Sequence, residues 1–223
     1  MLSEVLAPKQ IKEDAESLQI WGKDWTNGFV VAPSAIVFPE SIEQLQDLVA
    51  HARSHDLKLV PSGGRTGLSG GAVASQGEVV VSFDRMNQIL DFSPEDRIVT
   101  CQPGVITANL QAFAAEQGLF YPVDFASSGS SQIGGNVATN AGGIKVIRYG
   151  LTRDWVAGMK VVTGTGALLD CNAGLIKNAT GYDFRHLMIG SEGTLGLIGE
   201  LDMCLAPQPQ PQVVMVVGVP EVT

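Results

Sequence analysis

The sequence has few cysteines, few basic side chains, few aromatic residues and no long apolar run. Its three cysteines, Cys101, Cys171 and Cys204, form no CxxC pair among 223 residues, which predicts buried thiols and excludes a disulfide framework or a cysteine zinc site. Fourteen basic against 23 acidic side chains give a net charge of −9, which excludes a nonspecific nucleic-acid binder.

No apolar run reaches the roughly 18 to 20 residues that a membrane helix needs. The N-terminal residues 1–19 mix charged with apolar side chains and carry no signal-peptide pattern. These absences predict a soluble, cytoplasmic protein, and contact with the inner membrane face through a partner stays open.

Glycine is abundant and unevenly placed. Of the 26 glycines, fifteen lie in three segments, five in each of 63–71, 129–143 and 181–199. Glycine is favoured where the backbone needs a positive φ or where another group approaches it closely. Three such segments far apart in sequence predict loops that converge on one extended ligand.

The periodicity of the N-terminal third predicts parallel α/β structure. Residues 35–39 and 57–61 read as apolar strands, and between them Ser41 and Gln44 form a capping box that opens a helix. Strand, helix and strand within this distance form a βαβ unit with a right-handed crossover. The residues from 33 to 85 are therefore predicted to be a small parallel α/β subdomain.

The later part of the chain has hairpin signals. Strands over 88–93 and 97–103, and a second pair within 159–170, predict a larger α+β subdomain of mixed or antiparallel strands over 86–207. Residues 1–32 are predicted to be an N-terminal entry with a helix over 11–19. Residues 208–223 are predicted to be a linker and the first strand, over 213–219, of a C-terminal substrate domain not contained in the chain.

The segment 61–71, PSGGRTGLSGG, has the composition of an anion-binding nest. Backbone N–H groups that no side chain obstructs can bind a pyrophosphate, so the protein itself need not be basic. Arg65 and neighbouring hydroxyls can add donors. Walker A is excluded because no Gly-Lys-Ser/Thr follows. Residues 67–71 also match the G-x-S-x-G nucleophile elbow with His186 downstream, but a glycine loop precedes them where a strand should, which disfavours a hydrolase.

Two further segments carry polar groups beside paired glycines. Residues 122–143 supply amides and hydroxyls that suit the edge of a heteroaromatic ring, and they contain no acid–base pair or metal ligand set. Residues 179–183 and 190–196 follow, where Glu192 suits either ribose hydroxyls or a structural turn. His51 and His55 lie four residues apart on the first long helix; a metal pair is geometrically possible there, and a solvated helix face is favoured.

These segments resemble the FAD-binding domain of the vanillyl-alcohol-oxidase type. PSGGRTGLSGGA resembles its pyrophosphate loop. PVDFASSGSSQIGGNVATNAGG, IRYG at 147–150 and ATGYDFRHLMIGSEGTLGLI resemble most closely the group of D-2-hydroxyglutarate dehydrogenase, glycolate oxidase FAD subunit and D-lactate dehydrogenase. The resemblance runs from about Asp24 to Pro207. It implies an α+β fold with two FAD-binding subdomains.

The resemblance also implies a cofactor site. The 61–71 loop holds the FAD pyrophosphate, residues 129–143 line the flavin side, and Glu192 to Ile198 line the adenosine side. The loop has no His or Cys for a covalent link, so noncovalent FAD is expected. The predicted contacts are Pro61, Ser62, Gly63, Gly64, Arg65, Thr66, Gly67, Leu68, Ser69, Pro122, Asp124, Gly129, Ser130, Gly134, Gly135, Asn136, Thr139, Asn140, Gly142, Gly143, Glu192, Gly193, Gly196 and Ile198.

The implied activity is oxidation of a D-2-hydroxy acid, with the hydride from carbon 2 passing to flavin N5. The electrons then pass to a separate acceptor, namely an electron-transfer flavoprotein, a cytochrome or a quinone. No catalytic residue and no metal site is assigned, because the family's histidine-rich metal site lies in its C-terminal domain. The chain alone is therefore expected to be inactive. The alternatives are a non-catalytic FAD-binding subunit completed by a partner chain and an alkyl-glycerone-phosphate-synthase-like transferase. Assembly as a homodimer or with a partner subunit stays open.

Overall fold

A computed structural model describes residues 1–172, 174–175, 177–211 and 213–218. Six helices and eleven strands occur in these ranges. The helices are α1 (Ala15–Trp21), α2 (Ile42–Ser54), α3 (Thr107–Glu116), α4 (Ile133–Ala138), α5 (Val146–Tyr149) and α6 (Arg185–Met188). The strands are β1 (Ile11–Lys12), β2 (Ala35–Val37), β3 (Leu59–Ser62), β4 (Val79–Ser82), β5 (Ile89–Ser93), β6 (Ile98–Cys101), β7 (Leu119–Phe120), β8 (Val156–Thr163), β9 (Leu168–Cys171), β10 (Gly196–Cys204) and β11 (Ala206–Pro207).

The N-terminal sheet has the order β1-β2-β4-β3, and β2, β4 and β3 are parallel. The predicted parallel strands are therefore confirmed, with one correction. Strands β2 and β3 of the βαβ unit do not pair with each other, because β4 lies between them and pairs with both. All residues of β2 and β4 are buried, as expected for strands covered on two faces.

The second sheet is antiparallel throughout, with the order β5-β6-β10-β8-β9. Its central strand β10 alternates between buried and half-buried residues along its whole length, so one face packs on the core. The two predicted hairpins are β5–β6 and β8–β9. Helix α3 packs beside this sheet, where Leu110 and Ala114 are fully buried.

Helix α2 contacts both sheets. Ser41 caps its N-terminus, since its hydroxyl accepts from the N–H of Gln44 at 3.3 Å, as the capping box predicts. Leu45 and Leu48 are 0% exposed and share a cluster with Val79 of β4 and Val162 of β8. Because the two sheets meet at this helix, α2 fixes how the loops at their ends face one another.

The prediction for the first helix is wrong at its start. The helix begins at Ala15 and not at residue 11, because the Asp14 carboxylate accepts from the N–H of Ser17 at 2.9 Å and residues 11–12 pair with β2. Residues 213–218 form no strand in the described part of the chain. That residues 213–219 are the first strand of a further domain stays a prediction.

The cysteines follow the prediction. Cys101 and Cys171 are buried and Cys204 is half-buried, all as free thiols. Burial raises the pKa of Cys101 to about 12, so this thiol stays protonated and unreactive at neutral pH. No described helix is long and apolar enough to cross a membrane.

Leu45→Ala should lower the free energy of unfolding by roughly 2 to 5 kcal/mol, because the side chain is fully buried between the two sheets. Urea unfolding followed by circular dichroism measures the change. The matched control is Asp47→Ala on the exposed face of the same helix, which should change the free energy by less than about 0.5 kcal/mol. Equal effects of the two substitutions would contradict the placement of α2.

Candidate functional site

One cleft of about 490 Å³ gathers residues from all three glycine-rich segments. Its wall comprises the end of β3 with the loop that follows, helix α4 with the loop that follows, and the loop before β10. The carboxyl end of a parallel strand is where ligands bind in open α/β sheets. The predicted convergence of the three segments on one site is therefore observed.

Backbone contacts hold the three segments together. The N–H of Glu192 donates to the carbonyl of Ala138 at 2.9 Å, and the N–H of Gly190 donates to the carbonyl of Val137 at 3.0 Å. A Cβ on Gly64 would overlap the backbone of Ser130. Glycine at this position is thus required by the close approach of the first two segments.

The loop after β3 presents a row of unpaired backbone donors. Within the described part of the chain, none of the N–H groups of residues 64–69 donates to a protein acceptor. The loop is anchored at its far end, where the N–H of Gly70 donates to Asp24 Oδ2 and to Thr26 Oγ1, both at 3.0 Å. Consecutive free N–H groups in a fixed loop form a concave site for an anion.

Asp84, directly after β4, connects the loop to its surroundings. Its carboxylate accepts from Trp21 Nε1 at 2.7 Å and from Gln132 Nε2 at 2.8 Å, and Arg65 Nη1 lies 3.4 Å away. Arg65 Nη1 also donates to the carbonyl of Gly63 at 3.0 Å. Arg65 is therefore held by the protein at the base of the loop, and it is the one basic side chain among the described residues that line the cleft.

Two polar atoms in the cleft wall have no partner. Ser62 Oγ and Gln132 Oε1 are buried and make no hydrogen bond within the described residues. Leaving a buried polar group unpaired costs roughly 1 to 3 kcal/mol. These atoms are thus suited to bonds with a bound molecule.

Gly135 has no packing reason to be glycine. It lies in helix α4, lines the cleft, has no positive φ, and a Cβ built on it would meet no atom within 4 Å. Glycine in a helix costs about 1 kcal/mol relative to alanine. A bound ligand that occupies the space of a side chain at this position explains why the residue is glycine.

The backbone around the cleft is locally strained. Arg65, Asn140 and Glu192, one from each segment, have φ values of 59°, 47° and 51°. Such left-handed conformations of non-glycine residues are uncommon and cluster at functional sites. Each one lies in the cleft wall.

The structure places most of the predicted contacts in this cleft. Nineteen of the 24 line it, and the five that do not are Pro122, Asp124, Gly129, Ser130 and Gly143. Asp124 instead binds Lys145 at 3.1 Å, and its carbonyl accepts from the N–H of Ile144. Its observed contacts hold the loop after α4.

Sequence reasoning missed other polar residues in the wall. Asp24, Ser131, Gln132 and Ser191 line the cleft without having been selected. Gln132 lies within the second segment, and its side-chain amide could have marked it as a site residue. Asp24 lies about forty residues before the loop that it anchors, so only the fold brings the two together.

Comparison with known proteins places this geometry in a family. The family described as "FAD binding domain" matches residues 33–172. A D-2-hydroxyglutarate dehydrogenase of Stutzerimonas stutzeri (strain A1501) is 64% identical over 220 residues, 99% of this chain and 47% of that protein. One from Xanthomonas citri pv. viticola is 52% identical, covering 98% and 46%. The chain therefore spans about half the length of these curated relatives.

Solved structures agree on the fold. An alkyldihydroxyacetonephosphate synthase superimposes with a TM-score of 0.84 at 26% identity, over 94% of this chain and 40% of that one. A p-cresol methylhydroxylase superimposes with a TM-score of 0.80 at 19% identity, over 94% and 43%. The fold is the α+β FAD-binding fold of the vanillyl-alcohol-oxidase type.

The chain belongs to the FAD-binding domain family of the FAD-linked oxidases. Its cofactor is FAD. The cleft fits this assignment, since it combines a row of free N–H groups, two unpaired polar atoms and a helical glycine that leaves open space. The domain bounds and the individual cofactor contacts remain predictions.

Gly135→Val should weaken FAD binding by at least roughly tenfold, because the side chain would fill space that the cofactor needs. The unfolding midpoint of the FAD-free protein should change little, since no protein atom lies within 4 Å of the added Cβ and glycine is itself a poor helix former. Flavin fluorescence titration and thermal unfolding measure the two quantities.

Gly104→Val is the contrasting variant. A Cβ on Gly104 would overlap the carbonyl oxygen of Phe83, and the residue does not line the cleft. It should therefore lower the unfolding midpoint of the FAD-free protein. Unchanged FAD affinity in Gly135→Val would exclude α4 from the cofactor site.

Proposed function

We propose that the chain is the FAD-binding portion of a flavin-dependent D-2-hydroxyacid dehydrogenase, with noncovalent FAD. The observation that carries the proposal is the row of six unpaired N–H groups at residues 64–69, in a cleft built from three glycine-rich segments. The identity of 64% to a D-2-hydroxyglutarate dehydrogenase supports the reaction class.

Different residues of the cleft suit different parts of the cofactor. The N–H groups of 64–69 bind the pyrophosphate, which explains how a chain of net charge −9 holds an anion. Ser62 Oγ, Gln132 Oε1 and the glycines of α4 face the flavin side. A second cavity of about 200 Å³ adjoins residues 193–197, is walled by apolar side chains of α2, β3 and β8, and suits the adenosine side.

Bound FAD supplies the acceptor for the hydride that leaves carbon 2 of the substrate. The chain's own residues bind and orient the cofactor. Arg148 and Arg185, which could in principle bind a substrate carboxylate, do not line the cleft. Arg185 is engaged by Asp183 at 2.6 Å and by the carbonyls of Val156 and Ala157.

The relatives' names support a hydroxy acid substrate and, in general, a separate electron acceptor. D-2-hydroxyglutarate is the first substrate to test, and a separate electron acceptor completes the reaction: an electron-transfer flavoprotein, a cytochrome or a quinone. The transferase alternative is supported at only 26% identity, against 64% and 52% for the dehydrogenases. The non-catalytic subunit alternative predicts no reduction by any hydroxy acid.

Acid precipitation of the FAD-loaded chain should release intact FAD into the supernatant. No His or Cys is among the described residues that line the cleft. These are the side chains that usually form a covalent bond to flavin. Absorbance and mass spectrometry of pellet and supernatant give the result. A yellow pellet with a mass increase on the protein would contradict noncovalent binding.

Replacing the matching 220 residues of the Stutzerimonas stutzeri enzyme with this chain should give an active D-2-hydroxyglutarate dehydrogenase. Anaerobic stopped-flow should show saturable flavin bleaching by D-2-hydroxyglutarate, with slower bleaching by D-lactate and glycolate. The isolated chain loaded with FAD should not bleach at a comparable rate, since near-attack positioning of a substrate contributes many kcal/mol.

The matched control is the same chimera carrying Gly135→Val, which should fold and bind FAD at least roughly tenfold more weakly. A chimera that binds FAD but is bleached by none of the hydroxy acids would favour the non-catalytic alternative. Rapid bleaching of the isolated chain would show that the groups for catalysis are all present in it.

A further inference from the structure

Three potential metal ligands meet at the C-terminal half of α2, away from the FAD cleft. Glu4, His51 and His55 each offer one ligand atom, and these atoms lie within 4.8 Å of one another. Glu4 ends a 3₁₀ turn over Leu2–Glu4, whose Leu2 packs on the cluster that contains Leu48. None of the three residues lines either cavity.

The prediction of a solvated helix face holds for His55, which is exposed, and is wrong for His51. His51 is only 7% exposed, and its ring stacks on that of His55 with centroids 4.0 Å apart. Its Nδ1 lies 3.8 Å from Glu4 Oε2. A buried imidazole that faces a carboxylate and a second imidazole is in the environment of a metal ligand.

His55 has hydrogen-bonding partners that orient its ring. Its Nδ1 lies 2.9 Å from the carbonyl oxygen of His51 and 2.9 Å from Ser54 Oγ. In the tautomer with the proton on Nδ1, the carbonyl accepts that proton and Nε2 has the free lone pair. Metal-bound histidines commonly donate their other ring N–H to a backbone carbonyl in this way.

The environment of Glu4 leaves one carboxylate oxygen available to the site. The Met1 ammonium binds Glu4 Oε1 at 2.6 Å and leaves Oε2 facing His51.

We propose that Glu4, His51 and His55 bind one zinc-like divalent cation that attaches the N-terminal segment to α2. Two imidazoles and one carboxylate suit Zn²⁺, Co²⁺ or Ni²⁺ and do not suit Mg²⁺ or Ca²⁺, which prefer oxygen ligands. Zinc bonds of about 2.0 to 2.2 Å place donors roughly 3.5 Å apart, so side-chain rotations at exposed Glu4 and His55 are enough to close the site. Water completes the coordination. The proposal does not depend on the dehydrogenase function.

The experiment is isothermal titration calorimetry of the FAD-free chain with Zn²⁺, with Co²⁺ absorption as a second readout. A C-terminal tag without histidine keeps the N-terminus intact. The wild type should bind one ion per chain, and His55→Ala and Glu4→Gln should each weaken binding by roughly tenfold or more. Both positions are exposed, so these variants should fold.

His186→Ala is the matched control. His186 is exposed and lies 3.6 Å from the Asp183 carboxylate, and it belongs to no three-ligand group within the described residues. Its removal should leave zinc affinity unchanged. Absence of binding at millimolar zinc, or equal losses in His186→Ala and His55→Ala, would overturn the site.

Hydrogen exchange tests the attachment of the N-terminal segment. The N–H groups of Val5 and Leu6 donate to the carbonyl of Leu2 at 3.1 and 3.0 Å. Zinc should slow their exchange in the wild type and not in His55→Ala. Zinc binding without this protection would overturn the attachment while leaving the ion site.

Discussion

The fold depends on one helix whose apolar residues pack against both sheets. Helix α2 buries Leu45 and Leu48 against strands of the parallel sheet and of the antiparallel sheet. The contact is close on the second side, where a Cβ added to Gly199 would lie 2.7 Å from Ile42 Cγ1. Neither sheet could shift along the helix without opening a cavity in this cluster.

The position of α2 determines the site. It joins β2 to β3, so it determines where β3 ends and where the loop of free N–H groups begins. It also packs on β8 and β10, and the loop that carries Glu192 leads directly into β10. Helix α2 therefore sets how the two sheets face each other across the cleft, although none of its residues lines the cleft.

The sequence was sufficient for the parts of the fold that are encoded locally. Ser41 and Gln44 predicted the start of α2, and the apolar runs predicted β2 and β3 to within about two residues. It was insufficient where distant contacts decide. The insertion of β4 between β2 and β3 depends on pairing across about forty residues, and residues 11–12 are a strand because β2 is beside them. The glycine clusters located the cleft, but the roles of Asp24 and Asp84 depend on contacts that no local pattern contains.

The proposed binding of the pyrophosphate by the free N–H groups at 64–69 has a consequence for the conditions under which the protein retains its cofactor. Backbone amides neither ionise nor carry a formal charge, so in this binding mode their contribution does not titrate with pH. It is also screened by salt much less than a lysine or arginine clamp at the protein surface. An acidic protein that holds an anionic cofactor in this way can keep it through changes of ionic strength and proton concentration, and its surface charge stays free for solubility.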